Sequence, residues 1–172
     1  MADILPTITE SDALATLRGF FLTVVNCEVI QSQENRVSMP KGDFIAFNAS
    51  GWSQLNVPVD DYTDTTHVVS QGGQLNVQVD CYGAASLGRA TTLIMLLRDS
   101  QAADYFDQSG YDMQALYAED AQQIPIVTGQ NQYLERWTFT VALQINQSIT
   151  LTTETANALD IGLINVDAVY PA

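Results

Sequence analysis

Tyr133-Leu134-Glu135-Arg136-Trp137-Thr138-Phe139-Thr140-Val141-Ala142-Leu143-Gln144-Ile145 decides the fold. Tyr133, Trp137, Phe139, Val141, Leu143 and Ile145 fall on one face of this stretch, and Arg136, Thr138, Thr140, Gln144 and Asn146 on the other. A repeat of two is the repeat of a strand. Strands buried on both faces, as in parallel sheets, read as unbroken apolar runs, so alternation this regular predicts an antiparallel strand. One face lies on the core, and the other is exposed or set against a neighbour.

Working outward, His67 to Tyr82 reads as its natural companion. Leu75, Val77, Val79 and Cys81 alternate with Asn76, Gln78 and Asp80, and Gly72-Gly73 sits inside the run. Asp43 to Val57 predicts two strand pieces joined by a bend or bulge at Ser50-Gly51. Between them Pro58 to Thr66 reads as a polar hairpin connection. The helices are equally plain. Thr9-Glu10-Ser11-Asp12 predicts a capped start, and Leu14, Leu17, Phe21 and Val24 carry a helical stripe expected to end near Asn26. Ser86 to Asp99 predicts a second helix, and a short third one follows Ser100 and stops at Gly110.

Met113 to Ala118 reads as a short strand and Glu119 to Gly129 as a loop. Thr153 to Leu159 reads as a last short helix, and Gly162 to Val169 as a final edge strand. The expected fold is α+β, a single domain over residues 1–172 with residues 1–8 as an N-terminal tail. Helices cover one face of a mainly antiparallel sheet that carries a long hairpin.

Composition narrows function. Twenty acids stand against six bases and one histidine, for a formal charge of -14 and a pI near 4.1. Gripping nucleic acid displaces counterions with Lys and Arg, which are scarce here, so an acidic surface repels DNA rather than holding it. Hydrophobic content of 47% excludes wholesale disorder. No apolar run approaches the roughly 18 residues that span a bilayer. Met1 to Glu10 lacks the basic, greasy build of a secretory signal, so a soluble, cytoplasmically made chain is expected.

The residues that usually carry catalysis are sparse. His67 has no recognisable triad partner, no phosphate loop follows Gly72-Gly73, and no nucleophile elbow appears. Asp60, Asp61 and Asp64 crowd one turn, where oxygen ligands for calcium or magnesium are one reading and an ordinary solvated hairpin tip the favoured one. Cys27 and Cys81 read as small buried apolar residues in preference to a disulfide. Arg136, on the polar face of its strand, has two open readings: an acid on the adjacent strand, or an acid across a subunit boundary. Neither an enzyme nor a cofactor is expected.

Several stretches together resemble a known family. They are Gln33-Glu34-Asn35-Arg36-Val37, Pro40-Lys41-Gly42-Asp43-Phe44, Val79-Asp80-Cys81-Tyr82-Gly83 and Leu96-Leu97-Arg98-Asp99. Further on come Gln132-Tyr133 with Arg136-Trp137, Leu143-Gln144-Ile145-Asn146, and Gly162-Leu163-Ile164-Asn165-Val166-Asp167-Ala168. In this order and spacing, from about Ser11 to Pro171, they resemble the phage neck terminator proteins, the tail-completion subunits of tailed bacteriophages. Ser38 departs from the pattern, standing where a proline is expected.

The resemblance implies a virion protein assembled in the host cytoplasm. It would form a ring, commonly of six, that caps the tail tube and meets the head-tail connector. DNA would pass through without specific binding, and no membrane or catalytic residue set is implied. Arg36, Asp60, Asp61, Tyr62, Asp64, Arg136, Asn165 and Asp167 are the candidate subunit-interface residues. Two other classes stand behind this one. The charge suits an acidic DNA-mimic inhibitor of a nucleic-acid-binding protein, and Asp60, Asp61 and Asp64 would suit a metal-dependent hydrolase.

Overall fold

The computed structural model describes residues 3–33, 39–127 and 133–153. In chain order these form α1 (Glu10–Val24), β1 (Glu28–Gln31), β2 (Phe44–Gln54), β3 (Val59–Tyr62), β4 (Thr66–Tyr82), α2 (Ser86–Leu97) and α3 (Ser100–Gln108). Then follow β5 (Met113–Ala118), β6 (Gln122–Gln123), β7 (Ile126–Val127), β8 (Tyr133–Leu134) and β9 (Arg136–Thr152). The main sheet runs β1-β2-β4-β9-β5, with β3 added beside β4 and β6 beside β9. Among the described strands only β1 runs parallel to its neighbour. The fold is α+β.

The spine is the pairing of β4 with β9, unbroken from Thr66 opposite Thr152 to Tyr82 opposite Arg136. Because partners share a face, Leu75, Val77 and Val79 stand beside Leu143, Val141 and Phe139, and Ile45 and Phe47 of β2 join them. On this apolar face lie Leu14, Leu17, Phe20 and Phe21 of α1, Ala90, Leu93 and Leu97 of α2, and Phe106 of α3. Phe21 meets Phe47 edge-on at 6.0 Å, and Phe20 lies 5.9 Å from Phe106. Each such side chain, fully buried, contributes about 1.5–3 kcal/mol of transfer free energy.

Local chemistry sets the element ends. The Thr9 and Asp12 side chains form a capping box: the Asp12 amide donates to Thr9 Oγ1 at 3.3 Å and the Thr9 amide to Asp12 Oδ2 at 2.9 Å. The helix stops at Val24, short of the expected Asn26, because Val25 is already extended on the way to β1. The register of β2 slips between Ala49 and Gly51, where the bulge was expected. Gly110, with φ +80°, follows α3 in the left-handed conformation that ends helices.

Four sequence expectations are revised. Val59–Tyr62, inside the expected Pro58–Thr66 connection, is a strand, since β4 extends far enough to pair with it despite its polar sequence. Tyr133 lies in β8, paired with Val127 and exposed, so it does not share the buried face of β9. The strand itself runs on past Ile145 to Thr152 because β4 continues beside it. Glu119–Gly129 contains β6 and β7, which borrow pairing from β9 and β8. The expected Thr153–Leu159 helix, beyond Thr153 itself, and the Gly162–Val169 strand lie outside the described residues.

Residues 1–8 were expected as a tail. Within them the Thr7 amide donates to Ser148 O at 2.9 Å, the Ser148 amide donates to Thr7 Oγ1 at 3.0 Å, and Ile8 is buried. Among the described residues no helix is long and apolar enough to cross a membrane.

Candidate functional site

Two features of this fold bear on function: an arm at one end of the sheet and an open polar face. The arm consists of β3, the first third of β4 and the last third of β9, which run beyond the buried core. Its turn is stiff. The Thr63 amide donates to Thr66 O at 2.8 Å, the Thr66 amide to Thr63 Oγ1 at 3.1 Å, and the Thr153 amide to Thr65 O at 3.0 Å. Short hydroxyl side chains that bond nearby backbone are what the segment's Thr-rich sequence supplies.

On this arm the candidates Asp60, Asp61, Tyr62 and Asp64 come together. His67 Nε2 lies 2.8 Å from Asp60 Oδ1, and the Tyr62 ring stacks on the His67 ring at 4.1 Å with 8° between planes. Sequence reading found no partner for His67. The signal available was positional, since residues flanking a tight turn at 60, 62 and 67 become cross-strand neighbours once the hairpin closes. Antiparallel pairing engages the backbone of alternate residues on each side, so among the described residues β3 has an unpaired outer edge, with all four of its residues exposed.

Arg136 lies elsewhere, on the open face. Its Nε and Nη2 donate to Asp80 Oδ1 at 3.0 and 2.8 Å, and its guanidinium sits 5.8 Å from the Tyr82 ring centroid. Gln78 Nε2 adds contacts of 3.2 Å to both Asp80 oxygens. Of the two readings for Arg136, the acid on the adjacent strand is the contact present. The rest of this face carries the uncharged Asn48, Gln74, Asn76, Thr138, Thr140, Gln144 and Asn146, with the acid Glu28 of β1 opposite Phe44 at its margin. Beyond the Arg136–Asp80 pair the middle of this face is polar and uncharged, with Glu28 toward one end and Asp61, opposite Val68, toward the other.

The cations are largely engaged inside the chain. Arg18 Nε donates to Val29 O at 2.9 Å, Arg89 Nη1 meets Asp43 Oδ2 at 2.9 Å, and Arg98 bonds Ala118 O. Arg36, Asn165 and Asp167 lie outside the described residues. At the end of the sheet opposite the arm, Phe44 and Tyr82 stack at 4.4 Å and 13°. With Ile30, Gln31, Ser32, Met39 and Ala46 they line a cavity of about 310 Å³.

Neither cysteine is placed for chemistry. Both thiols are free. Burial pushes Cys81 up to about 12, with Cys27 and Asp80 adding to it, and burial also raises Cys27. Among the described residues no group of three or more His, Cys, Asp or Glu could hold a metal ion. What the arrangement offers is surface: an acidic arm with an aromatic plate, a largely polar sheet face, and a cavity of mixed lining at the far end.

Comparison with protein families is decisive on this point, because the model for phage neck terminator proteins matches residues 11–168. The chain belongs to the phage neck terminator family. This neck terminator is accordingly a structural protein of the phage neck and a component of the virion, in contact with other head and tail proteins. No curated protein matches it in sequence.

Proposed function

We propose that this neck terminator closes a ring, of six copies, on the finished end of the tail tube and offers the surface on which the head-tail connector docks. The match to the family over residues 11–168 carries the reading. Charge supports it: six copies at -14 each bring a formal -84 to the neck. An acidic or neutral channel lets DNA slide, because like charges repel at short range and no counterion release rewards adhesion. The protein acts by fitting against other chains and turns over no substrate.

The candidate interface residues divide in this reading. Asp60, Asp61, Tyr62 and Asp64 meet a neighbouring copy through the arm, and Arg36, Asn165 and Asp167 contribute from their own segments. Arg136, engaged with Asp80, shapes the open face. The partners are further copies, the tail tube protein and the connector, assembled in the host cytoplasm. Deletion of the gene tests the whole. Negative-stain images should then show filled heads and unjoined tails, while purified protein added to tail tubes should leave a ring at one end. Normally joined particles from the deletion strain would end this reading.

A further inference from the structure

The four arginines among the described residues are each bonded within the chain, as set out above. Among the described residues Lys41 alone of the cations has no hydrogen bond or ion pair, and it is the only lysine in the sequence. It sits two residues from Met39, whose side chain is 63% exposed and lines the far-end cavity. That end therefore combines an opening of about 310 Å³, floored by the stacked Phe44 and Tyr82 and edged by Gln31 and Ser32, with a positive charge two residues from its rim.

The arm tip is its counterpart. Tyr62 is 65% exposed, an aromatic side chain left in water although its inner face is stacked on His67. That stack holds the ring in one orientation, so little rotamer freedom remains to be lost on docking. Asp60 and Asp61 flank it, and the Asp61 side chain has no hydrogen bond or ion pair among the described residues. Tyrosine in a desolvated pocket is a common anchor of protein interfaces, and flanking charges set the register.

A single copy cannot join these two parts. From His67 to Tyr82 along β4 is fifteen residue steps, roughly 50 Å at about 3.3 Å per step. The parts lie at opposite ends of the sheet, which is the layout of a head-to-tail contact repeated around a closed ring.

We infer that the arm tip of one copy docks into the far-end cavity of the next copy, Tyr62 covering the Met39, Phe44 and Tyr82 opening and Asp61 meeting Lys41. The inference rests on the ring reading and names its contact. The occupant is a second copy because each surface carries what the other lacks. The acidic plate needs a cation close to an opening that takes an aromatic ring, and Lys41, two residues from Met39 in sequence, supplies the charge.

The test supplies the full chain from a plasmid to an infection whose own gene is deleted, and counts joined head-tail particles. K41E and D61K should each lower the count about tenfold, and the double variant K41E/D61K should return to within about threefold of wild type. Tyr62→Ser should lower it by at least about tenfold. All three residues are exposed, and far-UV circular dichroism of the purified variants should match wild type.

Zero-length carbodiimide cross-linking of wild-type particles should give a dimer band whose linked peptides join Lys41 to Asp61 or Asp60. A double variant as defective as the worse single, or a dimer linked through other acids, would overturn the contact and leave the ring standing. Normal particles without the gene would remove the ring and the contact together.

Discussion

Replacing Arg136 with methionine should destabilise the fold far more than replacing its partner. Asp80 is the more enclosed of the two, its side chain 6% exposed against 18% for Arg136. Without the guanidinium, the carboxylate loses contacts of 3.0 and 2.8 Å and keeps only the Gln78 amide at 3.2 Å. Breaking a buried pair from one side costs about 3–5 kcal/mol. The remaining amide argues for the lower end, about 3 kcal/mol. For a chain of this size that is a fall of roughly 6–12 °C in Tm, at about 2–4 °C per kcal/mol. Asp80→Asn is milder, about 1 kcal/mol, because the amide oxygen still accepts and the arginine can tilt toward water. The double variant should cost less than the two single losses added, leaving a coupling of at least about 1 kcal/mol. Urea unfolding followed by circular dichroism measures all four forms. Arg136→Met losing under about 1 kcal/mol, or no more than Asp80→Asn, would refute the view that this pair anchors the open face.

Other consequences are as direct. Gly83 has φ +99°, and a Cβ there would run into the Asp43 carboxylate and come within 3.2 Å of the Asp43 backbone. Gly83→Ala should therefore cost about 2 kcal/mol or more and disturb the Arg89–Asp43 pair, read as a drop in Tm. The Asp12 carboxyl is held below its ordinary value of 3.8, first by the Thr9 hydroxyl, then by the Thr9 amide and, less, by Tyr111. A depressed carboxylate adds stability above the unfolded value and loses it as pH falls through the folded one. Wild type should thus exceed Asp12→Asn in stability at pH 6, and the gap should narrow as the pH is taken below 3.8 in parallel unfolding curves. With its thiol near 12, Cys81 should resist a disulfide-exchange reagent at pH 8 until denaturant is added, while the half-buried Cys27 reacts sooner; equal rates in the native state would contradict the burial described.

Much of the fold was legible because its long elements carry their own period. Phe139, Val141, Leu143 and Ile145 could face only one way, and the Thr9–Asp12 box announces α1 in four residues. What escaped reading depends on distant partners. Val59–Tyr62 looks like a loop until β4 is known to run beside it, and β6, β7 and β8 are two-residue pairings with no period to detect. The parallel β1 is four residues that gain their meaning from β2. The same limit applies to the docking surfaces. Asp60, Asp61 and Tyr62 stood out as a polar cluster, but the His67 stack appears only once the hairpin closes. The far-end cavity gathers Ile30, Met39, Phe44 and Tyr82 from three separate stretches.

The pairing of β4 with β9 has a consequence for how the protein is made. Val77 and Val141, opposite one another, are separated by 64 positions (141 − 77) along the chain. During synthesis β4 leaves the ribosome well before its principal companion, with β2 on one margin and the other bare. Structures dominated by such remote contacts fold slowly and expose sticky margins while they wait. A cell making the protein must shelter that interval. Yield should accordingly depend on temperature and on chaperone supply more steeply than the stability of the finished protein would suggest.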